Sequence, residues 1–144
     1  AIDNNETIRI VGDYDIDGIN SIYILYSGLK RLGADVDYVV PHRITDGYGI
    51  NERLIDEAHE EGRQVIITCD NGIAACSQIE HAKALGLTVV VTDHHGVPFE
   101  EKDGEKRDTS AGGCGCRPGE GGLYISVEED MRRGCGHEAC AGAI

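Results

Sequence analysis

The chain has no tryptophan, one methionine, one phenylalanine and only three prolines among its 144 residues. Its 13 lysines and arginines are half as many as its 26 aspartates and glutamates, which gives a formal net charge of -13. Proteins that cover a long phosphate backbone usually carry a basic face, so this charge argues against an extended nucleic-acid track. The charge is compatible with acidic side chains gathered around divalent cations, because a bound cation inverts the local electrostatics.

Long apolar segments are also missing from the sequence. No apolar run approaches the roughly 18 residues that a membrane span needs, and no basic-then-apolar leader opens the chain. We therefore expect a cytoplasmic protein with no membrane partner. The 40% hydrophobic and 27% charged fractions are typical of a globular protein.

Short apolar stretches alternate with segments of helical periodicity between residues 7 and 95. The pattern predicts strands at 7–11, 35–40, 64–68 and 87–92, and helices at 18–32, 51–62 and 74–85. The alternation breaks down after residue 95, where 100–108 is interpreted as a charged, solvated stretch and 123–127 as a candidate fifth strand. Nearly continuous apolar strands are typical of a parallel sheet that is buried on both faces. The predicted fold class is therefore α/β, with an open, mostly parallel, Rossmann-like sheet, helices on both faces and a short irregular C-terminal appendage.

Carboxylates, histidines and an arginine cluster where the four predicted strands end. In open α/β sheets the carboxyl ends of the strands meet at one edge, where ligands bind. Several carboxylates at one edge repel each other unless cations lie between them. The mixture of carboxylate and imidazole favours Mn or Mg, and two such ions about 4 Å apart can activate water at a phosphoryl group. The clustered residues are Asp13, Asp15, Asp17, His42, Arg43, Asp70, Asp93, His94 and His95.

Each strand end taken alone also fits an ordinary turn or a solvated loop. An Asp-Gly or Asn-Gly pair after a strand is a common turn. Polar residues of these types at four successive strand ends argue against a chance arrangement, and they favour a metal site.

Four segments resemble, in order, the motifs of the DHH phosphoesterase superfamily. They are IVGDYDIDGI (10–19), PHRITDGYGI (41–50), ITCDNGI (67–73) and VTDHH (91–95). The residues of these motifs are most similar to those of RecJ-type exonucleases specific for single-stranded DNA. The tail segment CGHEACAG (135–142) resembles a Gly-Gly-His-x-x-Ala-Ala-Gly segment of the second, DHHA1 domain of that family, with Cys135 and Cys140 at positions of small residues.

The resemblance implies a role for each matching residue. Asp70 would bridge two ions, His95 would contact the scissile phosphate, and Asp93 would orient the histidines. The implied metal ligands are Asp15, Asp17, Asp70 and His94, with Asp13 as a further candidate. The implied catalytic residues are His95, Arg43 and Asp93, and the implied substrate-binding residues are His42, Arg43, Gly136 and His137.

The resemblance also implies a domain division: a DHH domain at 1–107, a Gly-rich linker at 108–122 and a remnant of a DHHA1-like domain at 123–144. Full-length RecJ proteins carry several hundred more residues, including a further metal-binding aspartate. Many superfamily members also have a metal-binding histidine where this chain has Val11. We therefore expect a shortened Mn- or Mg-dependent hydrolase of single-stranded DNA or short oligonucleotides, with a role in DNA repair.

Two alternatives remain open at this stage. The strong negative charge favours a small substrate, as in the nano-RNases, phosphoadenosine phosphatases, cyclic-dinucleotide phosphodiesterases and pyrophosphatases of the same superfamily. The other alternative is an inactive remnant whose tail binds structural Zn, because thiolates and imidazoles are the usual zinc ligands. The candidate zinc ligands are Cys114, Cys116, Cys135, His137 and Cys140.

Overall fold

A computed structural model describes residues 1–96 and the backbone of three further strands at 99–102, 105–108 and 122–126. The predicted alternation of strands and helices up to residue 93 is confirmed. The elements are β1 (Ile8–Val11), α1 (Ile16–Arg31), β2 (Val36–Val39), α2 (Glu52–Glu60), β3 (Val65–Cys69), α3 (Cys76–Ala84), β4 (Thr88–Asp93), β5 (Phe99–Lys102), β6 (Glu105–Asp108) and β7 (Gly122–Ser126).

The main sheet has five strands in the order β2-β1-β3-β4-β7, and every neighbouring pair is parallel. The strand β1 lies between β2 and β3, with Val11 in register with both Val39 and Thr68. The connections therefore change direction between β1 and β3. This change of direction is the switch point at which open α/β sheets bind ligands, beyond the carboxyl ends of the strands.

Both faces of the sheet are buried under helices, which confirms the predicted fold class. One cluster joins Leu54 and Ile55 of α2 with Ile79 of α3 against strand residues such as Ile66. The other cluster joins Ile22 of α1 with the opposite face of the sheet. Successive side chains of a strand point to opposite faces, so the strands must be apolar at nearly every position.

The helix α1 begins two residues before the predicted start. Asp15 is its N-cap, and its Oδ1 accepts hydrogen bonds from the backbone N–H groups of Asp17 at 3.0 Å and Gly18 at 2.9 Å. A side-chain oxygen that satisfies these free N–H groups stabilises a helix start. The apolar periodicity used for the prediction carries no information about such a cap.

The charged stretch at 100–108, which the sequence indicated to be solvated and for which it predicted no strand, forms most of an antiparallel hairpin of β5 and β6. The register places Glu100 opposite Arg107 and Glu101 opposite Lys106. The predicted fifth strand at 123–127 is confirmed as β7, which pairs with β4.

The predicted division into domain, linker and remnant stays a prediction, because most of residues 109–144 lie outside the described residues. Within the described part of the chain, no helix combines the length and apolar character needed to cross a membrane.

Two glycines of α1 allow a matched test of helix packing. Replacing Gly28 by alanine should stabilise the protein by up to about 1 kcal/mol, because its Cβ would meet open space and glycine is a poor helix former. Replacing Gly18 should destabilise it by roughly 1–3 kcal/mol, because a Cβ there would lie 2.6 Å from the carbonyl oxygen of Asp13. Urea unfolding of both variants checks the prediction, and equal shifts in the free energy of unfolding would contradict it.

Candidate metal centre

The segment that follows β1 brings carboxylates to the switch point. Asp13 is 2% exposed, and its buried Oδ1 has no hydrogen-bond partner among the described residues. The absence of a side chain at Gly18 lets the first turn of α1 pack directly against the backbone of Asp13. The carboxylates of Asp15 and Asp17 lie at the exposed start of the helix.

Asp70 lies directly after β3, on the other side of the switch point. It is 8% exposed and has a positive φ of 62°, an uncommon conformation for a residue other than glycine. Nε2 of His94 lies 2.8 Å from Oδ1 of Asp70. Apart from this contact with His94, the buried oxygen has no hydrogen-bond donor in the described part of the chain. Burial raises the pKa of Asp70, and the negative charge of Asp15 raises it further.

The donor atoms at this site fit a divalent cation. One ligand atom from each of Asp70, His94 and His95 can be chosen so that all three lie within 4.8 Å of one another. Adjacent ligands of an octahedral ion with bonds of about 2.1 Å stand roughly 3 Å apart, which is close to the spacing between Asp70 and His94. A buried carboxylate oxygen with no hydrogen-bond donor, as at Asp13, or with only one imidazole nearby, as at Asp70, is a group that a cation would satisfy.

Asp93 holds the imidazole of His95. Its Oδ1 lies 2.6 Å from Nδ1 of His95 and accepts the backbone N–H of the same residue at 3.1 Å. Its Oδ2 accepts the backbone N–H of Ile73 at 2.9 Å, and the residue is 3% exposed. The hydrogen bond to Asp93 raises the pKa of His95. A buried carboxylate that is fixed at both oxygens sets the orientation of the half-exposed imidazole.

Tyr48, to which the sequence assigned no role, joins the segment after β2 to this site. Its hydroxyl donates to the backbone carbonyl of Asp70 at 2.9 Å and lies 3.3 Å from Nδ1 of His95. Its ring meets the imidazole of His95 edge to face. Burial raises the pKa of Tyr48, and four nearby carboxylates raise it further. These are, largest effect first, Asp93, Asp13, Asp70 and Asp15.

Asn71 is a second residue whose role the sequence did not reveal. Its side chain is completely buried, with Nδ2 donating to the carbonyl oxygens of Val11 at 3.0 Å and Cys69 at 2.9 Å. Its Oδ1 accepts the backbone N–H of Ile50 at 3.2 Å. One amide therefore ties together the end of β1, the end of β3 and the segment before α2. Its position in an Asn-Gly pair predicted only a turn.

Arg43 and His42 lie on the exposed loop that follows β2. The guanidinium of Arg43 lies 5.2 Å from the ring centroid of Tyr14, within the range of a cation–π contact. Tyr14 stands between Asp13 and Asp15, so Arg43 reaches the acidic segment after β1. The backbone N–H of His42 donates to Asp46 at 2.7 Å.

A cleft of about 560 Å³ opens beside these carboxylates. Residues of α1 form one wall, and the ends of β3 and β4 form the other. The polar residues of the cleft are Asp17, Asn20, Ser21, Asp70, Thr92, Asp93 and His94.

The structure thus brings Asp70, Asp93, His94 and His95 together. Asp15 lies within electrostatic reach of Asp70 and His95, and Asp13 lies within electrostatic reach of Tyr48 at the same site. Asp17 lines the same cleft. The remaining predicted residues lie outside the described residues, so their roles stay predictions. They are Gly136, His137, Cys114, Cys116, Cys135 and Cys140.

The fold and the site together define an open parallel α/β protein with a carboxylate- and histidine-rich site at its switch point. The N-terminal domain of the DHH family matches residues 7–117. The chain therefore belongs to the DHH family.

Similar proteins within this family are exonucleases. The single-stranded-DNA-specific exonuclease RecJ of Escherichia coli is 46% identical over 89 residues, which are 61% of this chain and 15% of that protein. RecJ of Bacillus subtilis is 46% identical over 95 residues, 66% of this chain and 12% of that protein. A crystal structure of exonuclease RecJ bound to manganese matches with a TM-score of 0.60 and 39% identity, covering 65% of this chain and 24% of that one.

The matched regions therefore span less than a sixth of the curated relatives. The similarity supports a nuclease or phosphoesterase function of the RecJ kind. It confirms the predicted family and the α/β fold, and the reaction of this particular chain is a matter for proposal.

Proposed function

We propose that the protein is a metal-dependent phosphodiesterase that acts on single-stranded DNA or short oligonucleotides. The observation that carries this proposal is the buried carboxylate of Asp70, whose Oδ1 has only the imidazole of His94 as a nearby donor among the described residues. A carboxylate is costly to bury with so little compensation, so this arrangement favours a positively charged ligand at the switch point. The match to a manganese-bound RecJ supports Mn²⁺, and Mg²⁺ is the alternative with the same ligand preference.

The proposed ligands are those that the sequence indicated. Asp70 lies 2.8 Å from His94 and within electrostatic reach of Asp15, and it would bridge two ions. His94 would be a ligand of the second ion. Bound divalent cations would supply a water of lowered pKa and offset the charge on a phosphate. The full set proposed is Asp15, Asp17, Asp70 and His94, with the buried Asp13 as a further candidate.

The remaining side chains would bind and orient the substrate. Asp93 holds the imidazole of His95 in one orientation, so that its exposed edge can meet the scissile phosphate. Arg43 would neutralise part of the phosphate charge and His42 would lie beside it. Preorganised donors of this kind stabilise charge that develops in the transition state. His137 and Gly136 stay candidates for contacts from the second domain.

The direct test is hydrolysis of a single-stranded oligothymidylate by the purified chain with Mn²⁺ or Mg²⁺. We expect product in the presence of either metal and none with EDTA. Loss of activity in Asp70→Ala would assign the reaction to this site. Absence of hydrolysis with any divalent metal would overturn the proposal.

A small substrate is the second candidate, favoured by the net charge of -13. A short substrate needs no basic track, whereas a long strand gains affinity from many phosphate contacts. Comparing kcat/KM for pyrophosphate, a dinucleotide and longer strands separates the two. A rate that does not rise with strand length would favour the small substrate.

The third candidate, an inactive chain with a zinc-binding tail, concerns cysteines outside the described residues. It predicts about one zinc per chain, in the stoichiometry typical of a structural site. Metal analysis of the protein and of Cys114→Ser decides it.

Metal binding at the proposed site should also raise the stability of the protein. At a Mn²⁺ concentration of 100 times the dissociation constant, one site adds about 2.7 kcal/mol to the free energy of unfolding. A thermal melt with increasing Mn²⁺ measures this as a rising Tm. A matched control is Asp56→Asn, which removes a carboxylate that pairs with His81 on the surface and should keep the full shift. A Tm that is independent of Mn²⁺ in the wild type would contradict the prediction.

A further inference from the structure

The loop between β2 and α2 is closed on itself by one carboxylate. The side chain of Asp46 is 5% exposed, and its Oδ2 accepts the backbone N–H of His42 at 2.7 Å. The backbone N–H of Asp46 donates in return to the carbonyl of His42 at 2.8 Å. These two reciprocal bonds enclose Arg43, the residue that carries the positive charge of the loop.

Asp46 is in turn fixed to α2. Nε of Arg53 lies 3.0 Å from its Oδ1 and Nη2 lies 2.7 Å from its Oδ2, which is a bidentate pair. Nδ2 of Asn51 donates to the backbone carbonyl of Asp46 at 3.3 Å. Because Leu54 of α2 is packed into the core, these contacts attach the loop to a rigid element. The His42 N–H and the Arg53 guanidinium lower the pKa of Asp46, so it stays charged at neutral pH.

Arg43 itself has no carboxylate within ion-pair distance among the described residues, and its guanidinium lies over the ring of Tyr14. A guanidinium on an exposed loop would sample many positions unless the loop backbone were held. The contacts of Asp46 hold that backbone, while the guanidinium remains available to an external anion. The arrangement is that of a positioned but unpaired cation beside an acidic site.

We propose that Asp46, fixed by Arg53, is a positioning residue that holds Arg43 where it meets the phosphate of the substrate. The inference rests on the proposed phosphodiesterase function. Asp46 does not touch the reacting atoms, and it acts through Arg43 alone.

The test is the kinetics of Asp46→Asn on oligothymidylate with Mn²⁺. Asparagine keeps one acceptor but loses the charge and the bidentate pair with Arg53, so we expect KM to rise about tenfold with kcat within about twofold. Arg53→Lys keeps the positive charge but loses the two guanidinium N–H groups that bind both oxygens of Asp46, so it should give a smaller rise in KM. The control is Glu57→Gln, which removes the other ion pair of Arg53 and should leave KM unchanged.

A double-variant cycle with Arg43→Gln distinguishes positioning from a merely structural role. If Asp46 acts through Arg43, Asp46→Asn adds little to the KM of Arg43→Gln. A full additional rise in KM, or a wild-type KM in Asp46→Asn, would overturn the inference.

A readout that does not depend on hydrolysis separates this inference from the proposed function. The Nε–H resonance of Arg43 should carry a ring-current shift from Tyr14, which Tyr14→Leu removes. Asp46→Asn should move the resonance to the same position as Tyr14→Leu, while Glu57→Gln keeps it. An unchanged resonance in Asp46→Asn overturns the inference even if the enzyme is active. Conversely, the wild-type protein could be inactive while the variants still shift the Arg43 resonance as expected. That result would overturn the proposed function but support the role of Asp46 in positioning Arg43.

Discussion

Asp70→Asn should reduce Mn²⁺-dependent hydrolysis by at least about 100-fold and remove the rise in Tm that Mn²⁺ produces. Asparagine tolerates the positive φ at this position and has nearly the same shape. It loses the negative charge with which Asp70 would bridge two ions. The substitution therefore removes the metal ligand without disturbing the turn.

In the absence of metal, Asp70→Asn should not lower the free energy of unfolding. Because the buried carboxylate of Asp70 has only the half-exposed imidazole of His94 as a nearby donor, its replacement should leave the stability in EDTA unchanged or raise it. Urea unfolding with and without Mn²⁺ measures both effects on one sample. A loss of metal-free stability would mean that Asp70 is a structural residue, and an intact Mn²⁺ shift would mean that it is not a ligand.

Asn71→Ala should destabilise the protein by about 3 kcal/mol or more. The substitution removes three hydrogen bonds from a completely buried position, and it leaves two carbonyl oxygens and the N–H of Ile50 without this partner. It also leaves a cavity next to the carboxyl ends of β1 and β3. Since those strand ends carry the candidate ligands, metal affinity should fall together with stability.

The matched control is Asn4→Ala in the exposed N-terminal segment, where the change in the free energy of unfolding should stay within about 0.5 kcal/mol. Denaturant unfolding of the two variants provides the comparison. If Asn71→Ala costs no more than Asn4→Ala, the amide does not tie the strand ends together in solution. The Mn²⁺-dependent Tm of both variants reports the accompanying effect on the metal site.

The strand and helix pattern was predictable because it depends on local repeats of apolar residues. Buried strands such as β3 are apolar at nearly every position, and α2 repeats apolar residues at helical spacing. The first and last residues of an element were less predictable where a capping side chain or a strand partner determines them. Asp15 starts α1 through a side-chain hydrogen bond, and the charged hairpin at 99–108 depends on pairing across two strands rather than on apolar periodicity.

The sequence by itself determined which residues stand at the strand ends. In a parallel sheet every strand ends at the same edge, so local order is enough to gather Asp70, Asp93, His94 and His95 there. The residues of the four motifs also indicated the protein family, which the match to residues 7–117 confirms. Neither source indicated the strand order, because neighbours in a sheet are set by packing across many residues.

Only the tertiary structure decided what fixes those side chains in place. Tyr48 reaches Asp70 across 22 residues, and Asn71 reaches Val11 across 60. Asp46 positions its loop through Arg53 on the next helix. Such contacts join polar atoms that are distant in the chain and follow no period, so no local pattern encodes them. They arise because a buried or half-buried polar group must find a partner in the folded protein.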